Sequence, residues 1–303
     1  MHDLPNALMA RLDHHANHAP QRTALSDGEQ RLSYTAVIQH IAQRRQRLRT
    51  AGARRVALAL DNGLEWALWD LALMMEVCVA VPIPDFFSDR QRRHIVEQAG
   101  LDSWIGHGGE AYGFQTIGDA VITQRQIELP PELPTGTTRI TFTSGTSGSP
   151  RGVCLDNAAL LTVTESLAAV VEPLAIRRHL AMLPLATLLE NIGGLYLPLW
   201  LGACSVLPSL TMLGWQGASS FSAPLALESI ARYRPHSMIL VPQLLQALVS
   251  HAPTSPHSLR FVAVGGAPVA TTLLTRAQGG GWPVFEGYGL SECSSVVCLN
   301  RPG

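Results

Sequence analysis

The chain contains no lysine. All 22 basic residues of its 303 are arginine, and against 23 acidic residues they leave a formal net charge of −1. The missing lysine excludes the Gly-Lys-Ser/Thr signature of the nucleoside-triphosphatase P-loop. The arginines form no dense block, which argues against a nucleic-acid partner or a polybasic membrane surface. Charged residues amount to only 15% beside 47% hydrophobic residues, a balance that excludes disorder and suits a well-buried α/β enzyme. Long apolar runs are also missing. The stretches 64–84 and 181–208 are broken by Glu65, Asp70, Glu76, Glu190 and several prolines, so neither approaches the ~20 apolar residues of a spanning helix. The start, Met1-His2-Asp3-Leu4-Pro5, shows no basic region leading into an apolar run, and no secretory leader is expected. Five cysteines (78, 154, 204, 293 and 298) form no Cys-x-x-Cys pair. An odd number suits reduced thiols, and a cytoplasmic location is expected.

What is present is an alternation of strand and helix patterns. Helices are predicted over 8–18, from 35 to about 49 with Ser33 as N-cap and Gly52 as terminator, and over 63–76. Others follow at 88–99 with Ser88 as cap, 157–169, 225–232 and 243–250, with 190–201 helical in part. Apolar strands are predicted at 23–25, 55–60, 78–82, 180–183, 204–207, 238–241 and 259–264. Residues 106–134, with Pro130, Pro131 and Pro134, read as an irregular connection. The alternation indicates parallel sheets with crossover helices, whose ligands bind beyond the strand ends.

The stretch Ile140-Thr141-Phe142-Thr143-Ser144-Gly145-Thr146-Ser147-Gly148-Ser149-Pro150-Arg151-Gly152-Val153 organises the chain. It opens as a strand and continues as a run of Gly, Ser and Thr. Val153-Cys154-Leu155 reads as a return strand. Such a loop has many backbone N–H groups and hydroxyls, little bulk and one fixed charge at Arg151. Those are the parts needed to wrap an oligophosphate. An isolated run of this composition is more often a polar hairpin; its length and direction point instead to phosphate. Two further motifs follow apolar strands, Leu183-Pro184-Leu185-Ala186-Thr187 and Val264-Gly265-Gly266-Ala267-Pro268, and a third is Glu286-Gly287-Tyr288-Gly289-Leu290-Ser291-Glu292. Paired glycines such as Gly265 and Gly266 let a planar ring approach the backbone, because no Cβ intervenes.

These strings resemble the adenylate-forming superfamily: acyl-CoA synthetases, aryl-CoA ligases, luciferases and the adenylation domains of peptide synthetases. The family loop reads Thr-Ser-Gly-Thr-Thr-Gly-x-Pro-Lys-Gly. Here Ser147 replaces the second Thr and Arg151 the Lys, a bulkier planar fork. Leu32-Ser33-Tyr34 and Ala80-Val81-Pro82-Ile83-Pro84 resemble earlier landmarks, with Val77 at a usual Gly position, and the resemblance runs from about 32 to 299. It implies an α/β fold of two intertwined αβαβα subdomains with mostly parallel sheets. Residues 1–303 would form an AMP-binding large N-terminal domain without its C-terminal small domain.

The resemblance also implies roles. Thr143, Ser144, Gly145, Thr146, Ser147, Gly148 and Arg151 would hold the ATP phosphates. Gly265, Gly266, Ala267, Pro268, Tyr288 and Gly289 would lie against adenine and the acyl pocket. Ser291 would offer its hydroxyl to the α-phosphate and Glu292 would hold Mg²⁺, with Arg151 completing the catalytic set. Pro184, Thr187 and Gly287 would line the acid pocket, although Thr187 stands where the family carries His. Amino-acid-activating relatives carry an Asp in this segment, and none stands in 183–187. An apolar acid is expected, and Leu185, Leu188 and Leu189 suggest a medium or long fatty acid. The implied reaction is attack of that carboxylate on MgATP to give an acyl-adenylate. Transfer to a thiol follows, that of CoA or of carrier-protein pantetheine, which would make an acyl carrier protein a partner.

The family continues with a ribose-gripping Asp and a small domain bearing a reactive Lys, and neither stands within 303 residues. Two other readings stay open: a half-length module that binds ATP or an acyl-adenylate without turnover, and a nucleotidase. The nucleotidase is the weaker, since nothing positions a water-activating base. Cys154 and Cys204 are expected in the core, and Cys293 and Cys298 as packing. His14 and His18 share a helix face but show no third metal ligand, so solvated polar residues are expected there.

Overall fold

A computed structural model describes residues 4–76, 78–118, 121–143, 149–217 and 220–300. Local signals set several boundaries. Ser33 caps the helix Tyr34–Ala51 by accepting from the Ala36 N–H, and Gly52 ends it in the left-handed region at φ 63°. Ser88 and Gln91 form a reciprocal capping box at the start of Asp89–Gln98. The helix Leu64–Met74 is apolar almost all round and is buried accordingly. Val77 lies outside the described residues.

Among the described residues the strands form two large sheets and a two-stranded ribbon. The eight-stranded sheet runs in the order Ser295–Leu299, Val284–Leu290, Phe261–Val264, Ser237–Leu240, Arg178–Leu180, Cys204–Val206, Thr23–Ser26, Arg31–Ser33. Its six central strands are parallel and each edge strand is antiparallel. The seven-stranded sheet runs Gln115–Thr116, Ile122–Gln124, Ser103–Gly106, Arg55–Ala59, Val79–Pro82, Arg139–Thr143, Arg151–Leu155. The chain therefore starts in the first sheet, builds the second and returns to finish the first. This is the expected mostly parallel, intertwined α/β architecture.

Alternation along the strands sorts the core into layers. Leu25, Val56, Leu58, Ala80 and Phe261 face a central helical layer built from Leu4–His18, Tyr34–Ala51, Leu64–Met74, Asn157–Val171 and the 188–200 region. Leu180, Met238, Leu240, Val262 and Val264 face outward onto Ala223–Tyr233, Pro242–His251 and Thr271–Gly279. Ala57, Val81, Trp104 and Ile140 pack outward against Asp89–Gln98. The outcome is an α-β-α-β-α stack.

Three sequence expectations are corrected. The strand expected at 180–183 is Arg178–Leu180, because its register is set by Cys204–Val206 on one side and Ser237–Met238 on the other. The 284–290 stretch, where no strand was expected, is an edge-proximal strand paired with both neighbours. Cys293 and Cys298 are exposed and are not packing residues, while Cys154 and Cys204 are only partly buried.

Candidate active site

The hairpin comes first. Arg139–Thr143 pairs with Arg151–Leu155 in antiparallel register, with Thr143 opposite Arg151. The intervening Ser144, Gly145, Thr146, Ser147 and Gly148 lie outside the described residues. His94 Nε2 lies 3.1 Å from the Pro150 carbonyl and anchors the return strand to the outer helix. Arg151 is exposed. The return strand runs within 8 Å (Cα–Cα) of the short turn Ser291–Cys293, so two motifs far apart in sequence meet here.

The glycine motifs form a rim at the ends of the central strands. Gly266 has φ +81°, and a Cβ on Gly265 would stand 3.1 Å from the Gly287 carbonyl, so the two glycine-bearing strands approach at backbone distance. Gly289 is required more strictly: a Cβ there would fall on the Ser295 carbonyl, where the hairpin folds back through Ser294 and Ser295 at positive φ. Ala267 and Pro268 are exposed beyond the rim. Tyr288 is 60% exposed and Glu292 is exposed, so both are open to a ligand from solvent.

Beneath the rim lies a cavity of about 310 Å³. Thr187, Gly265, Gly266, Gly287, Tyr288, Gly289 and Ser291 line its mouth, and Leu167, Val171, Leu197, Leu201 and Phe261 line its depth. A second cavity, of about 560 Å³, shares Thr187, Leu189 and Gly266 with the first and adds Pro184, Trp215, Asp61 and Asp85. Burial, with some help from Asp85, pushes the Asp61 carboxyl above its usual range. Leu188 and Leu189 line the first cavity as expected, whereas Leu185 is fully buried in the core. Thr187 Oγ1 donates to the Pro184 carbonyl at 2.7 Å and closes the turn after Leu183. Asn62 clamps the same turn, accepting from the Leu185 N–H at 2.8 Å and donating to the Leu183 carbonyl at 2.9 Å.

The wall facing the sheet holds two features that the sequence motifs did not announce. Between Leu188–Glu190 and Leu197–Trp200 the helix widens into a π turn, Asn191–Tyr196, a local form frequent at functional sites. It lies tight against the sheet: a Cβ on Gly193 would stand 2.4 Å from Ile239 Cδ1. Glu190, at the head of this turn, is fully buried. Its Oε1 lies 3.0 Å from His179 Nε2 and its Oε2 accepts from the Leu183 N–H at 3.0 Å. His179 Nδ1 lies 3.0 Å from Ser237 Oγ. Burial raises the Glu190 carboxyl, opposed by these hydrogen bonds. A carboxylate in an otherwise apolar segment was the available signal, since a buried charge needs a partner.

Elsewhere, the His14 and His18 rings lie 4.1 Å apart between centroids, tilted by 32°, and His18 Nδ1 lies 2.8 Å from the His14 carbonyl. No group of three or more metal-ligating residues exists among the described residues. No helix there is long and apolar enough to cross a membrane.

The AMP-binding enzyme family matches residues 12–303. The chain is 29% identical over 161 residues to the acyl-CoA synthetase ALT10 of Alternaria alternata, covering 53% of this chain and 27% of that protein. It is 26% identical over 319 residues to the 2-succinylbenzoate–CoA ligase of Bacillus subtilis, covering 98% of this chain and 60% of the ligase. A solved structure of the Bacillus subtilis O-succinylbenzoate coenzyme A synthetase, in complex with ATP and magnesium ion, superposes with a TM-score of 0.77 at 23% identity. That match covers 96% of this chain and 62% of the other.

Proposed function

We propose a function from one premise: the chain belongs to the AMP-binding enzyme family. It binds MgATP and a carboxylic acid with an apolar body, of fatty or aryl type, and supports formation of the acyl-adenylate. The observation that carries this is the meeting of the phosphate-type hairpin with the Ser291–Cys293 turn, beside a glycine rim that opens on an apolar cavity.

In this reading the acid's apolar body enters the cavity between the sheet and the π-turn helix, and its carboxylate stays at the rim. A carboxylate oxygen attacks the α-phosphorus and the bond to pyrophosphate breaks. Thr143, Ser144, Gly145, Thr146, Ser147, Gly148 and Arg151 hold the departing phosphates. Tyr288, Gly289 and the Gly265-Gly266-Ala267-Pro268 turn receive adenine, and Pro184, Thr187 and Gly287 border the acid. Catalysis is by positioning and charge stabilisation rather than by a covalent nucleophile. The donor set suits a metal that arrives with the nucleotide: Glu292 is exposed beside the Ser291 hydroxyl, and Mg²⁺ takes one or two carboxylates plus phosphate oxygens. Glu292 would hold Mg²⁺, which when bound would draw charge from the phosphoryl oxygens, and Ser291 would offer its hydroxyl to the α-phosphate. The thiol acceptor is CoA or a carrier-protein pantetheine, and the second cavity gives it an approach to Thr187.

A second reading is a module that binds ATP or an acyl-adenylate without turnover. One experiment addresses both. A non-hydrolysable acyl-sulfamoyladenosine should raise the unfolding free energy of the chain by about 2.7 kcal/mol at 100 times its Kd. Glu292→Gln should weaken MgATP binding more than binding of this metal-free mimic. If no acyl mimic binds, the adenylate reading fails. If mimics bind but acid-dependent ATP–pyrophosphate exchange is absent, the chain by itself is the binding module.

A further inference from the structure

The floor of the first cavity is apolar in all but one row. On the eight-stranded sheet Ile239 stands beside Ala263, and one pleat repeat deeper His179, Ser237 and Phe261 stand side by side. Phe261 precedes the rim residue Gly265 by four positions, which at the rise of a strand puts this row ~13 Å from the rim. Both His179 and Ser237 line the cavity, at the end remote from the glycines, among Leu167, Val171 and Ile176.

A buried His–Glu pair is not needed for stability, because well-packed apolar residues usually serve as well or better. A purely structural pair would also have no reason to face the ligand space. Here the pair is continued toward that space by Ser237, whose hydroxyl has one donor and two acceptor positions. His179 takes one of them. If the His179 proton sits on Nε2 and faces Glu190, Nδ1 accepts from Ser237 and the hydroxyl's lone pairs meet the ligand. If the proton sits on Nδ1, the Ser237 O–H is turned toward the ligand instead. A hydroxyl group satisfies either arrangement, and a methyl group satisfies neither.

We infer that the acid carries a hydroxyl group at the end remote from its carboxylate, received by Ser237 Oγ and oriented by His179 and Glu190. This rests on the reading of the cavity as the acid's site. His179 and Glu190 act through Ser237 and are positioning residues.

The test uses sulfamoyladenosine acylated with two matched pairs: ω-hydroxyoctanoyl against nonanoyl, and para-hydroxycinnamoyl against para-methylcinnamoyl. Calorimetric Kd values are measured on the 303-residue chain. The hydroxylated member of at least one pair should bind about 10-fold tighter or more. Ser237→Ala should abolish that preference while leaving the methyl-bearing probe within about 3-fold of its original Kd. A merely structural role for Ser237 would change both members alike. Equal binding within both pairs overturns the inference and leaves the adenylate reading standing, as does a preference that survives Ser237→Ala. Failure of all four probes to bind overturns both.

Discussion

Asp70 with Arg139, and Glu190 with His179, are both acid–base pairs withdrawn from water, yet they are built for different work. Asp70 is enclosed by side chains from two segments, the strand Arg139–Thr143 and the π turn Asn191–Tyr196. Arg139 Nη2 and Tyr196 Oη both donate to it, and Asn191 Nδ2 donates at 3.1 Å. None of these residues lines either cavity. The cluster ties the first residue of the phosphate-type hairpin to the π-turn helix, and its satisfaction is complete on the acid side. Glu190 is instead held by one side chain and by backbone N–H, and its network ends at a hydroxyl in the cavity wall. The same chemistry acts as a clamp where it is closed and as a ligand contact where one end is open.

Breaking the closed pair should have the largest effect. Asp70→Ala leaves the Arg139 guanidinium buried without a counter-charge and should cost about 3–5 kcal/mol, read from urea unfolding. Asp70→Leu combined with Arg139→Met should recover much of that loss. If the single change costs under about 1 kcal/mol, the clamp role is wrong. An intermediate effect is expected at Gly194, where an added Cβ would stand 2.0 Å from Glu190 Oε1 and 3.1 Å from His179 Nε2. Gly194→Ala should cost about 1–3 kcal/mol and should disturb acyl-mimic binding more than Asp70→Ala does per unit of lost stability.

The smallest effect concerns the thiols. Burial pushes Cys78 and Cys204 up to about 11, whereas Cys293 and Cys298 are exposed. At neutral pH an alkylating reagent should modify Cys293 and Cys298 quickly, the partly buried Cys204 more slowly, and the buried Cys78 only on unfolding. A raised thiol pKa means the folded state holds its proton more tightly than the unfolded chain. That contribution is full below about 9 and is lost as pH rises toward 11, so stability should decline across that window. Rapid labelling of Cys78 in the folded chain would contradict its burial.

The sequence made the local devices plain, because they depend on neighbouring residues. Ser33, Gly52 and Ser88 do what capping chemistry requires, and the hairpin strands fall where Ile140 to Phe142 and Val153 to Leu155 indicate. Alternation indicated parallel sheets with crossover helices in the same way, whereas the intertwined layering was implied by the family resemblance. What stayed hidden depends on contacts across the fold. The π turn forms where Gly193 and Gly194 let a helix touch the sheet, and no local preference announces it. The strand Val284–Leu290 was concealed by its own glycines, which weaken strand propensity and are tolerated because Phe261–Val264 and Ser295–Leu299 flank it. Of the site, the rim was legible as motifs. The cavity's polar end was visible only as an unexplained Glu190.

The return of the chain to its first sheet also sets a clock. Thr23–Ser26 is an interior strand whose parallel neighbour is Cys204–Val206, and the adjoining Arg22-to-Gly202 hydrogen bond spans 180 residues. At about 5–20 residues per second on a ribosome, the earlier strand waits roughly ten to forty seconds for its partner to be made. During that interval the seven-stranded sheet can assemble, while the Thr23–Ser26 edge toward Cys204–Val206 remains unpaired. Of the two large sheets the eight-stranded one is therefore the later to close during synthesis, and its open edge is the more in need of protection until then.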